Sequence, residues 1–206
     1  MTPRDKVENA LGHRAGPIPI DFGSTAVTGI HVTAVQALRE HLGLERRPVK
    51  VAEPYQMLGL VEDDLTEALG VSTVGVPPPE TIFGFPLGGW KEWRAPWGQE
   101  LLVPDHFRVL EKEDGTYIFP EGDTSAPPSG HMPASGFFFD TIVRQPEFNE
   151  EELNPEDNLE EFGPINEEDL AYFKEETEAA AKTGRAVVVR FRARPSATSP
   201  SSRRPS

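Results

Sequence analysis

Glu62-Asp63-Asp64-Leu65-Thr66-Glu67-Ala68-Leu69-Gly70-Val71-Ser72-Thr73-Val74-Gly75-Val76, closed by Pro77-Pro78-Pro79, is the stretch that decides the fold class. Three acids open it, and their charge opposes the positive end of a helix dipole. Leu65 and Leu69 stand four apart on one helical face, and Gly70 is a stop signal. Val71–Val76 then reads as a strand, ended by three residues that cannot donate a backbone hydrogen bond. A helix running straight into a strand is one half of an α/β repeat.

The same alternation extends upstream. Thr2 caps a helix with Pro3 in its first turn; Val7, Ala10 and Leu11 form its apolar side and Gly12 ends it. Ile18–Phe22 reads as a strand that runs out into the small polar loop Gly23-Ser24-Thr25. Val35, Leu38 and Leu42 mark a helix over Val32–Leu42, and Gly43 stops it. Val49–Ala52 reads as a short strand, and Glu53–Leu60 has helix-like spacing behind Pro54. Strands and helices alternating at this spacing predict a parallel α/β sheet.

Downstream the texture changes. Residues 84–145 hold three Trp and the strand-like runs Leu101–Val103, Phe107–Lys112 and Thr116–Phe119, with Asp114-Gly115 as a hairpin signal. This region reads as a β-rich excursion, its Trp residues packing it. Acidic Glu147–Glu161 reads as solvated loop. A helix over Asn166–Lys182 follows, with Leu170, Phe173 and Thr177 inward and Gly184 as its cap, and Ala186–Val189 is the next parallel strand.

From Arg190 to Ser206 the chain has five Arg, no acid, and runs of Ser, Pro and Ala. The change begins inside a strand rather than after it, which implies that the reading frame changes there. One choice of codons for 192–206, read one base out of phase, yields a Gly-rich turn and an apolar segment suited to continuing the strand. Residues 190–206 are therefore expected to be a frameshifted, disordered tail. A disordered Arg/Ser/Pro tail in the native frame is the alternative for this composition.

Composition sets further bounds. The 206 residues include 34 Asp and Glu but 20 Lys and Arg, five of them in the tail, so the body is strongly acidic. Such a surface repels phosphates and argues against nucleic-acid binding by the folded part. No apolar run reaches membrane-spanning length, and the first residues lack the apolar core of a signal peptide. With no cysteine there is no disulfide, thiolate metal ligand or Cys nucleophile. A soluble, cytoplasmic protein is the simplest expectation. His13, His31, His41, His106 and His131 show no metal-ligand spacing.

The opening MTPRDKVENALGHRAGPIPIDFGSTAVTGIHV (1–32) resembles the start of the uroporphyrinogen decarboxylase family, and more closely its corrinoid-linked methyltransferase branch. EALGVSTVGVPPP (67–79), PWGQE (96–100) and EEFGPINEEDLAYF (160–173) continue the likeness in order. The resemblance implies part of a (β/α)8 TIM barrel spanning 1–189. Ile18–Phe22, Val71–Val76 and Ala186–Val189 would be early barrel strands and 84–145 an insertion. Barrel sites lie at the C-terminal strand ends. That makes Asp21 the candidate catalytic carboxylate, for a hydrogen bond or proton transfer, with capping of the strand end as its structural alternative. Phe22, Gly23, Ser24, Thr25, Glu53 and Gln56 are the candidate substrate-binding residues. The arginine-rich motif of true decarboxylases is absent at 21–25, which argues against uroporphyrinogen as substrate. The resemblance also implies a corrinoid, a corrinoid protein partner and zinc for an intact parent acting on a small molecule, with no complete metal site in this chain. The chain by itself is expected to be inactive, and a non-catalytic binding or partner protein is the alternative.

Overall fold

A computed structural model of the protein describes residues 1–144, 154 and 165–190. The predicted loop over 147–161 (Asn154 apart) and the tail from 191 lie outside the described residues. In chain order the elements are α1 (Pro3–Leu11), α2 (Val32–His41), β1 (Val49–Glu53), β2 (Leu58–Gly59), α3 (Asp63–Ala68), β3 (Thr73–Val76), β4 (Lys91–Arg94), β5 (Glu100–Val103), β6 (Val109–Lys112), β7 (Gly115–Ile118), β8 (Gly130–Pro133), β9 (Asp140–Thr141), α4 (Glu167–Ala181) and β10 (Ala186–Val189). The fold is mixed α/β. Its strands form three sheets, ordered β2-β1-β5-β4, β10-β3 and β6-β7-β8-β9, with no closed barrel among the described residues.

Helix ends follow the sequence signals closely. Thr2 Oγ1 accepts from Asp5 N while Thr2 N donates to Asp5 Oδ2 at 2.7 Å, a reciprocal capping box. Asn166 Oδ1 accepts from Asp169 N at 2.7 Å to start α4, and Gly70 and Gly184 adopt positive φ after α3 and α4. The 113–115 signal gives the expected hairpin, β6 pairing antiparallel with β7 from Lys112↔Gly115 outward.

The β3–β10 pair is parallel and in register over four residues, Thr73↔Ala186 to Val76↔Val189. On one side α4 packs Phe173 and Ala180 against Val74, Val76, Val187 and Val189. Leu170 is 61% exposed where an inward position was predicted; the buried set is Asp169, Phe173 and Ala180, so the packed stripe starts one residue earlier. A larger core joins β1 and β5 with α2 and the aromatic excursion: Val51, Met57, Leu65, Leu101, Val103, Ile118 and Phe139 are all sealed from solvent. Trp93 and Trp97 pack against it.

Three other expectations change. Ile18–Phe22 is not a strand: it makes one backbone bond to the β3 region, Ser72 N to Ile20 O at 2.7 Å. Pro17 and Pro19 have no N–H to extend a ladder. Glu53–Leu60 is a turn followed by β2, not a helix; β2 pairs back on β1 with an irregular register. And β1 does not join β3. It pairs in parallel with β5 of the excursion, Val49↔Leu101 and Lys50↔Leu102, so residues 84–144 share the sheet of the N-terminal region. No helix among the described residues is long and apolar enough to cross a membrane.

Candidate functional site

A cavity of about 340 Å³ opens where several chain segments end. Phe22–Thr25 follow the segment beside β3, Glu53–Gln56 leave β1, Val76–Pro78 leave β3, and Arg190 leaves β10. The predicted binding residues Phe22, Gly23, Ser24, Thr25, Glu53 and Gln56 all line it. Asp21 is exposed and stands just behind the lining.

Hydroxyl chemistry fixes the 21–28 loop. Asp21 Oδ1 accepts from Ser24 Oγ, from Thr73 Oγ1 at 2.8 Å and from Thr28 Oγ1 at 3.3 Å. Ser24 Oγ and Thr73 Oγ1 are 3.1 Å apart. One carboxylate oxygen thus ties the loop to the first residue of β3. Gly75 makes this crossing possible: a Cβ there would fall on the Ser24 carbonyl oxygen. Gly23, with φ +79°, would likewise meet the Val61 side chain.

Glu53 ends β1 and folds back on its own turn. Its two oxygens accept from Tyr55 N and Gln56 N, each at 2.8 Å. Burial raises its pKa above the ordinary Glu value, against the two amide bonds and the positive charge of Arg190, which pull it down. A half-buried carboxyl with an elevated pKa at the edge of a cavity is suited to exchanging a proton. Gln56 is exposed beside it.

Several lining residues were not anticipated: Thr73, Gly75, Glu80, Thr81, Arg185 and Arg190. Gly75 and Arg190 lie near or directly after the carboxyl ends of predicted parallel strands, so strand-end logic applied to every strand would have found them; Thr73, the first residue of β3, lies at the other end. Thr81 and Arg185 carry no such signal; they reach the cavity through a loop and a long side chain. Among the described residues no group of three or more His, Asp or Glu is placed to hold a metal ion. His31 instead caps α2, its Nδ1 accepting from Thr33 N at 3.2 Å, with its Nε2 2.9 Å from Phe137 O.

The arrangement provides a mainly apolar recess, a hydroxyl-braced loop on one wall and a titratable carboxyl on another. It has the composition of a small-molecule site. No protein-family model, curated protein or solved structure matches this chain.

Proposed function

We propose that the chain forms part of a barrel-type enzyme of the uroporphyrinogen decarboxylase superfamily, on the corrinoid-linked methyltransferase side. The cavity at the strand ends is its small-molecule site. The observation that carries the reading is the convergence of the loop 22–25, Glu53 and Gln56 on one cavity that runs along β3 from Thr73 past its carboxyl end to Pro78 and takes in Arg185 and Arg190 on either side of β10. Active sites of α/β barrels occupy the carboxyl ends of the strands, where Glu53, Val76–Pro78 and Arg190 stand. The β3–α4–β10 unit supports the barrel component, being a parallel pair with its connecting helix packed on one side. The outer edge of β10 has no partner among the described residues, as it would if a further strand belonged there.

Two carboxylates are available for chemistry. Glu53 has the elevated pKa and borders the cavity. Asp21 commits Oδ1 to three hydroxyls and acts chiefly by holding the loop. The zinc that the resemblance implies has no cluster of three His, Asp or Glu to hold it among the described residues, and no step is assigned to it or to a corrinoid. At about 340 Å³ the cavity is at the small end of ligand sites, which favours a compact substrate over a four-ring tetrapyrrole.

The reading is tested by thermal shift with a fragment library on the wild type and on Ala26→Trp, which plugs the cavity from the half-buried loop that lines it. Fragments that bind the native state should raise the melting temperature of the wild type by mass action and leave the plugged variant unmoved. No stabilising fragment, or equal stabilisation of both proteins, overturns it. A second reading, a non-catalytic partner protein, draws on the open edge of β10, which could accept a strand from another chain. A partner that binds with the cavity plugged would favour it.

A further inference from the structure

Buried polar side-chain atoms almost always have a hydrogen-bond partner. Among the described residues three do not, and two of them, Thr81 Oγ1 and Arg185 Nε, belong to residues that line the cavity. Arg185 is the more telling. Its guanidinium is permanently charged, yet it forms no salt bridge among the described residues of a chain with net charge −14. Arg190, the other cavity arginine, already acts on Glu53. The backbone of Arg185 is well fixed, its carbonyl accepting from Arg4 Nε and Nη2 at 3.3 and 3.2 Å. Nε is sealed from solvent, so the two Nη groups, which have no partner among the described residues, are the part of the guanidinium that a ligand in the cavity can meet.

We infer that the cavity takes a small organic acid, an apolar body bearing a carboxylate that pairs with Arg185. The forked donors of a guanidinium match a carboxylate, and the match is strongest where water is excluded. The apolar body follows from the rest of the lining, where Ala26, Leu58, Val61, Val76, Ile82 and Leu87 face the space. The inference rests on the cavity being a small-molecule site and adds the class of molecule.

Isothermal titration of the full chain with 4-phenylbutyrate and with 4-phenylbutyramide, equal in shape and different in charge, tests it. The acid should bind about tenfold tighter or better, as a charged hydrogen bond is worth. Arg185→Gln should erase that preference by weakening the acid alone, Arg185→Lys should keep part of it, and Arg190→Gln should keep most of it, with circular dichroism confirming that each variant folds. Equal binding of acid and amide to the wild type overturns the inference while leaving the small-molecule site standing. An unchanged preference in a folded Arg185→Gln also overturns it. Binding of neither probe counts against this ligand class, and failure of the fragment and plug comparison is what removes the site itself.

Discussion

Gly75 and Asp21 hold the candidate site together by opposite means, one by lacking a side chain and the other by using one oxygen three times. Gly75→Ala should cost about 1–3 kcal/mol in urea denaturation, the range for forcing atoms into a packed contact, because the Ser24 carbonyl must move. A cost within 0.5 kcal/mol, the range typical of neutral surface changes, would show that the loop does not cross β3 as described. Glu53 carries a pH signature. Its folded-state pKa is raised above the ordinary 4.5, so the native state holds this proton more tightly than the unfolded chain does. Stability from this group is present at acid pH and declines as pH rises from about the ordinary value through the folded-state value. Wild-type stability relative to Glu53→Gln should therefore fall with rising pH across that interval and then level off; a difference that rises with pH would contradict the burial argument. Asp64 behaves in the reverse sense. The fork from Arg39, with Nη1–Oδ1 and Nη2–Oδ2 both at 2.8 Å, takes its pKa from 3.8 to about 2. Its contribution is complete above 3.8 and lost as pH falls through about 2. Because Asp64 is one-third exposed, Asp64→Asn should cost only about 1–2 kcal/mol at neutral pH, and the gap to wild type should shrink on acidification.

At the scale of elements, α4 separates pattern from packing. Leu170 and Phe173 look equally suited to the inner face in the sequence, yet only Phe173 is buried, at 6% exposure. Phe173→Ala should cost about 3 kcal/mol or more, and Leu170→Ala less than about 0.5 kcal/mol; equal costs would mean that the helix sits in another rotation. The termini of α1, α3 and α4, the strands β3 and β10 and the 112–115 hairpin were legible because each depends on neighbours in sequence: a cap, a stop glycine, a short apolar run. The pairing of β1 with β5 was not, since Val49 and Leu101 meet only through the packing of the aromatic excursion. Nor was the loss of strand structure at Ile18–Phe22, although Pro17 and Pro19 carried the warning. Residues 22–25, 53 and 56 were named through the barrel resemblance, which puts a site just after strand-like runs, and they line one cavity; Thr81 and Arg185 depend on how a loop and a long side chain fall in three dimensions.

Across the whole molecule, apolar surface is unevenly used. Leu11, Ile18, Ile20 and Val27 are exposed near the N-terminus, and one edge of β10 has no partner among the described residues. Open edges and uncovered apolar groups favour association, so light scattering with size exclusion should show mass increasing with concentration, and a strictly monomeric profile would show these groups to be tolerated. The central claim is that the ends of β1, β3 and β10 and the loop after Asp21 build one small-molecule site. Backbone amide NMR with a bound fragment tests it most directly. The account predicts shift changes concentrated at Gly23–Thr25, Glu53–Gln56 and Thr73–Val76, fading in Ala26→Trp. Changes centred on the β6–β9 sheet, or scattered without focus, would contradict it.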